Sequence, residues 1–351
     1  MRTRTHPSPR TTIAAPRSAL PGQRRTGAGD HHVMRTPLPS RRLTTAFALL
    51  TAATLTLTAC GSGDSTTAGG AAPAGKSGKL PTTDVVSSVA KDDKAARLLP
   101  ADVRDRGTLR IATSVGGTPP GSAHLPDGRT VVGQDIDFAN AVAKVLGLRL
   151  KRETASFEAI LPSLDSGKYD LGTGNFGVTD ERRRTIDFVT YVNDGQGFAV
   201  RADSELKKIT DFAQLCGLNV ATGAGTTFEV TLEDNKHVCS DAGKKPYSVK
   251  TYTEPGAIWP SLQQGRSDVV MSTINGLRYA VRQQEGLRFL GEFHRLDVGF
   301  AFKKGTKLAP AFQAAVNRLI EDGTYDRILK KWGTRASAIE KSRISPPEIK
   351  D

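Results

Sequence analysis

From residue 107 onward, short apolar runs alternate with amphipathic stretches, and the alternation occurs in two units of similar size. "TLRIAT" (108–113) has the length and content of a strand. "DIDFANAVAKVLG" (135–147) places Ile136, Ala139, Val142, Ala143 and Leu146 at helical spacing and stops at Gly147. "LRLKRE" reads as the next strand, "SFEAILPSLDSGK" as a helix with Ser156 as its N-cap, and "YDLGTG" as a third strand. The second unit repeats the order, with strands at 217–221, 248–251 and 268–271 and helices at 226–235, 256–264 and 274–284. "DVGFAFKKG" (297–305) is a further strand, and "APAFQAAVNRLIEDG" and "TYDRILKKWG" are two closing helices. This pattern predicts an α/β protein with a mostly parallel sheet. The units join through "GQGFAV" (195–200) and "LDVGFAF" (296–302). If the closing helices pack on the first unit, the chain crosses between two lobes twice, giving a two-strand hinge beside a cleft. Lobe 1 then comprises 105–198 plus 297–335, lobe 2 comprises 199–296, and 336–351 is a C-terminal tail.

A chain of 351 residues suits two domains, and 38% hydrophobic with 24% charged residues excludes a multi-span membrane protein. The formal charge of +13 is unevenly placed. Residues 1–59 hold nine Arg, no Lys and one acid, leaving 40 basic against 35 acidic residues beyond them. No basic stripe with interleaved aromatics is present, which excludes nucleic acid as a partner. Arg41-Arg42 precede "LTTAFALLTAATLTLTAC", an apolar stretch too short to span a membrane and ended by small residues, which is the pattern of a signal peptide over 1–59. Met34 also gives it a normal start, and Thr44 argues against a twin-arginine signal. The ending Leu57-Thr58-Ala59-Cys60 resembles a bacterial lipobox, in which the cysteine is lipidated and begins the mature protein. The alternative is an ordinary signal peptide with a chance cysteine. Residues 60–100 then form the lipidated Cys60 and a flexible tether, whose Gly, Ala, Ser, Thr and Pro content lacks the apolar side chains to offset ordering entropy. Two acyl chains suffice for stable anchoring to the outer face of the cell membrane.

Cys216 and Cys239 remain. In an exported chain an even pair favours a disulfide, worth about 3 kcal/mol for the loop it closes; two buried free thiols are the alternative. No cluster of His, Cys or acids has metal-ligand spacing, so no metal or other cofactor is expected. "GTGNFG" lacks the Lys and Ser/Thr of a phosphate-binding P-loop.

"GNFGVTDERRRTIDF" (174–188) is, on composition alone, a charged and solvated helix face. Together with "VVGQDIDFANAVAKVLG", "FEAILPSLDSGKYDLGTG", "LCGLNVATGAGTTFEVTLEDNKHVC", "LQQGRSDVV" and "LIEDGTYDRILKKWG", it resembles the bacterial extracellular solute-binding proteins of family 3 over about residues 105–335. That resemblance implies a type II periplasmic-binding-protein fold of the Venus-flytrap kind. It implies a monomer that captures a small amino acid or related carboxylate outside the cytoplasm and passes it to ABC permease subunits. In the family the arginine at Arg182 makes paired bonds to the ligand carboxylate, for which a guanidinium fork is suited. Arg183 and Arg184 are read as solvated. Gly177 supplies a main-chain amide, and Asn175 offers a side-chain amide. Thr226 and Thr227 stand at a helix start that favours an anion, with Thr227 the expected ligand contact; plain N-capping is the alternative. Phe157 matches a position that packs on the ligand.

Two family features are absent. Gly117 stands where an aromatic ring usually stacks, and Ser272-Thr273 stand where an aspartate usually receives the ligand ammonium. A neutral hydroxyl does not replace that charge. Either another acid (Asp194, Glu158 or Glu229) takes over, water fills the gap, or the ligand lacks an α-ammonium. Two other functions compete with transport: a ligand-sensing subunit of a membrane receptor, and a dehydratase of cyclic acids on the same fold. The latter needs an acid–base pair that no spacing in the sequence marks.

Overall fold

The computed structural model describes residues 79–350. The signal-peptide reading of 1–59, Cys60 as the lipidated residue and the tether up to residue 78 lie outside the described residues.

The first lobe opens with α1 (Asp93–Arg97), α2 (Ala101–Arg106), β1 (Thr108–Thr113) and a small hairpin of β2 (Ala123–His124) and β3 (Val131–Val132). It continues with α3 (Gln134–Leu146), β4 (Arg149–Thr154), α4 (Phe157–Asp165) and β5 (Leu171–Gly177). After β6 (Ile186–Arg201) come β7 (Asn219–Gly223), α5 (Thr227–Asp234), α6 (His237–Asp241), β8 (Ser248–Tyr252), α7 (Ile258–Gln263), β9 (Val269–Thr273) and α8 (Ile274–Gln283). β10 (Leu287–Lys303), α9 (Ala309–Glu321) and α10 (Thr324–Trp332) follow. Ser156 does occupy the N-cap position of α4, but its side chain caps nothing, contrary to expectation.

The strands form one sheet in the order β4-β1-β5-β10-β6-β9-β7-β8. The three strands at each end are parallel, as α/β alternation requires, and the central β10 and β6 are antiparallel. β6 and β10 pair from Ile186↔Lys303 to Arg201↔Leu287, far longer than the short runs expected at 195–200 and 297–305. Their middles are rich in glycine and polar residues (193–197 and 291–295), and mutual backbone pairing carries both strands through that stretch. Val189, Tyr191 and Val192 of β6, with Phe300 and Phe302 of β10, belong to a core shared with α3 and α9. Phe198 and Val200 of β6 and Leu290 of β10 belong to a second core with β7 and β9. The same two strands therefore serve both lobes and cross between them near Gly195. That residue has φ +147°, and an added Cβ would lie 2.2 Å from the His294 carbonyl oxygen, so only glycine fits.

The tether drawn to residue 100 is corrected. Val86, Ala95 and Leu99 are buried in the first core, and the Asp92 main-chain N–H donates to the Val145 carbonyl oxygen at 2.8 Å. "VVSSVAKDDKAARLLP" (85–100) carries the apolar side chains that the preceding Gly/Ala/Ser/Thr-rich stretch lacks. The C-terminal tail likewise packs: Ile344 bridges Val189 on β6. Cys216 and Cys239 form a disulfide with 5.6 Å between Cα atoms, fastening the turn before β7 to α6. Among the described residues, no helix is long and apolar enough to cross a membrane.

Candidate ligand-binding site

A cavity of ≈ 140 Å³ lies between the lobes. Pockets for drug-sized molecules run to roughly 300–1,000 Å³, so this one suits a small solute. Asn175, Gly177, Arg182 and Phe157 line it from the first lobe, and Thr226, Thr227, Ser272 and Thr273 from the second. All eight residues singled out in the sequence are thus brought to one place.

Arg182 begins a single 3-10 turn, Arg182–Arg184, between β5 and β6. Its Nη1 donates to the Gly177 carbonyl oxygen at 3.2 Å and its Nη2 to the Gly225 carbonyl oxygen of the other lobe at 3.1 Å. The guanidinium stands over the Phe157 ring, 5.9 Å from its centroid. Burial lowers its pKa to about 10. Both bonds go to neutral carbonyl oxygens, so the half-buried guanidinium is held by dipoles and makes no direct ion pair, with Glu181 acting on it only from a distance. Arg184 is exposed, as expected, but Arg183 is not a solvated residue. Its Nη1 pairs with Asp180 at 2.7 Å and its Nε donates to the Ser345 carbonyl oxygen at 2.9 Å.

On the second lobe the two threonines divide their roles. Thr226 is the N-cap of α5: its hydroxyl accepts from the Glu229 N–H at 3.2 Å and donates to the Gly223 carbonyl oxygen at 2.7 Å. The capping alternative therefore describes its hydroxyl, while Thr227, the first helical residue, faces the cavity beside it. Thr273 caps α8, its hydroxyl accepting from the Gly276 N–H at 3.0 Å, and Ser272 pairs with Gly197 across β6 and β9.

Of the three acids weighed in the sequence, one lines the cavity. Asp194, on β6 where it passes between the lobes, is fully enclosed and accepts from Asn175 Nδ2 at 3.2 Å and the Asn275 N–H at 3.1 Å. Asn175 thus spends one amide hydrogen on positioning Asp194, from a left-handed backbone with φ 57°. Burial pushes the Asp194 carboxyl up to about 6. Glu229 instead accepts from the Gly225 N–H at 2.6 Å, and Glu158 is exposed; neither lines the cavity.

A second carboxylate, Asp135, escaped the sequence reading. It is 1% exposed and is among the residues lining the cavity; its Oδ1 accepts from the Tyr191 hydroxyl at 2.8 Å, and its enclosed Oδ2 has no hydrogen-bond partner. Burial, helped by the nearby Asp194 carboxylate, raises its pKa to about 7, outweighing the Tyr191 bond, the Asn175 main chain and the more distant Arg152. A signal was available: Asp135 shares helical spacing with Phe138, Val142 and Val145, which makes it a charged residue on an apolar face. Thr118, also missed, accepts from Trp259 Nε1 of α7 at 2.8 Å and joins the β1–β2 loop to the second lobe.

Residues 109–335 match the family described as bacterial extracellular solute-binding proteins, family 3. The chain belongs to this family. It is 29% identical to the arginine-binding protein ArgT of Corynebacterium glutamicum over 71% of this chain and 81% of that one. It is 30% identical to the L-cystine-binding protein TcyJ of Escherichia coli over 66% and 84% of the respective chains. Among solved structures, an ancestral arginine-binding protein bound to arginine superposes with a TM-score of 0.58 at 33% identity, covering 65% of this chain and 98% of the other. The two-lobed type II fold with its two-strand hinge is that of these family-3 relatives.

Proposed function

We propose that the protein is the extracytoplasmic substrate-binding lipoprotein of an ABC importer, anchored through Cys60, and that its cargo is a cationic α-amino acid of the arginine class. The observation that carries this reading is the charge arrangement of one small cavity. Among the described residues Arg182 makes no direct ion pair and only Glu181 acts on it from a distance, while Asp194 and Asp135 are enclosed with only the more distant Arg295 and Arg152 as counter-charges. A ligand with one carboxylate and two cationic groups satisfies all three. Its carboxylate takes the Arg182 fork and the Thr227 helix start, its α-ammonium takes Asp194, and its side-chain cation takes Asp135. Burying any of these charges alone costs several kcal/mol, so an amino acid lacking the second cation leaves Asp135 uncompensated. Arginine binding in relatives aligned over 81% and 98% of their own length supports the same class. The acids in the cavity are held by Tyr191, Asn175 and Asn275 as fixed receptors for charge, so the protein binds its cargo unchanged.

Thermal denaturation of the mature protein with L-arginine, L-lysine, L-citrulline and L-glutamine tests the reading. A cationic ligand at a hundredfold over its Kd is expected to add about 2.7 kcal/mol of stability. Equal stabilisation by L-citrulline and L-arginine rejects the role given to Asp135.

A further inference from the structure

The C-terminal segment beyond the family-matched residues follows a defined course. Ser342 Oγ donates to the Thr190 carbonyl oxygen at 2.7 Å, the Thr190 N–H donates to the Arg343 carbonyl oxygen at 3.0 Å, and the Arg343 N–H donates to Thr190 Oγ1 at 2.8 Å. The Ser345 N–H donates to the Phe188 carbonyl oxygen at 2.9 Å, and the Phe188 N–H returns a bond to Ser345 Oγ at 3.0 Å. The segment thus lies as a strap along the part of β6 that β9 leaves unpaired. It does not stop there. The Ser345 carbonyl oxygen accepts from Arg183 Nε at 2.9 Å, Glu348 Oε2 accepts from the Asp180 N–H at 2.9 Å, and the Glu348 N–H donates to Asp180 Oδ1 at 3.2 Å. Lys350 reaches Asp180 Oδ2 at 3.2 Å.

These bonds close on Asp180 and Arg183, which flank the cavity arginine within one short turn. Internally the turn rests on the Arg182 N–H to Thr179 Oγ1, the Arg183 N–H to the Thr179 carbonyl, the Arg184 N–H to the Glu181 carbonyl, the Thr185 N–H to the Arg182 carbonyl and the Arg183–Asp180 pair, with Lys304 Nζ donating to the Arg183 carbonyl from β10's end at 2.7 Å. One 3-10 turn with such bonds is weak alone. A long arginine side chain delivers a fork to a fixed point only when its backbone is fixed. Glu348 and Arg182 also line one cavity on the outer side of the cleft, so the strap ends beside the residue whose turn it holds.

We propose that the strap Ser342–Lys350 is a positioning element of the ligand site, with Glu348 as the clamp that fixes the 179–184 turn and so presents Arg182 to the cleft. The ligand part of this inference rests on the carboxylate role given above to Arg182; the clamping part does not.

The test compares Glu348→Ala with Glu348→Gln in the full-length chain, because glutamine keeps a side-chain oxygen for the Asp180 N–H. In the ligand-free protein, amide hydrogen exchange across Arg182–Thr185 is expected to be about tenfold faster in Glu348→Ala and restored in Glu348→Gln. Titration with L-arginine is expected to show affinity about fivefold weaker in the alanine variant and near wild type in the glutamine variant. Unchanged exchange in Glu348→Ala overturns the clamp, as does faster exchange with undiminished L-arginine affinity. A wild-type chain that ignores L-arginine rejects the proposed cargo, and the exchange comparison then decides the clamp alone.

Discussion

Arg182 Nη2 and the Gly225 carbonyl oxygen meet at 3.1 Å across the cleft, one residue from the Thr226 cap of α5. The guanidinium therefore already touches both lobes through neutral partners. A carboxylate entering between Arg182 and the start of α5 exchanges a dipole for an anion, and the stronger charge-assisted pair draws on a group whose charge burial has disfavoured.

Arg182→Ala is expected to lower L-arginine affinity at least a hundredfold, a loss of about 3 kcal/mol, while the fold persists. Arg182→Lys is expected to recover little, because an ammonium lacks the paired donors. Arg184→Ala, at an exposed position, is expected to change affinity less than twofold by calorimetry. Equal losses at 182 and 184 reject the assignment.

Asp135→Asn keeps an oxygen for the Tyr191 hydroxyl but removes the charge. Affinity for L-arginine is expected to fall about tenfold or more while that for L-glutamine holds or improves. Asp194→Asn is expected to weaken both equally, since every α-amino acid offers it an ammonium. Competition binding with the two ligands separates these patterns.

The pH dependence of stability and of binding is expected to run in opposite directions. The Asp135 and Asp194 carboxyls titrate at about 7 and about 6 in the folded protein. In the unfolded chain they titrate near the ordinary ~3.9, so the folded state binds more protons between the two limits. Their contribution makes the ligand-free protein lose stability as pH rises from about 4 to about 7. A cationic ligand needs them ionised, so L-arginine affinity is expected to rise across pH 5 to 8 with proton release. Calorimetry in buffers of different ionisation enthalpy measures that release, and proton uptake on binding contradicts the scheme.

Replacing Cys216 and Cys239 together by alanine is expected to cost about 3 kcal/mol in denaturant unfolding. L-arginine affinity is expected to hold, because neither residue lines the cavity.

Local pattern revealed the regular elements and the lining residues that sit next to them. The alternation placed β1, α3, β7 and α8 to within a few residues, and the loop after β5 marked Arg182. Long-range pairing was invisible. β6 and β10 continue through polar residues because each is the other's partner, a fact that no window of either strand contains. Arg183 looked solvated because the Ser345 carbonyl that receives it lies 162 positions away. Asp135 was hidden differently: its spacing placed it on a buried face, but only the fold shows that the same end of α3 opens into a cavity.

The N-terminal stretch carrying Val86, Ala95 and Leu99 and the C-terminal segment carrying Ser342 and Ser345 are both fastened to the first lobe, and the second lobe is an insertion between β6 and β10. Two fluorophores, one near residue 85 and one near residue 345, are fastened to the same core and are expected to keep their separation if the lobes move. A reporter of closure has to carry one label between residues 203 and 285.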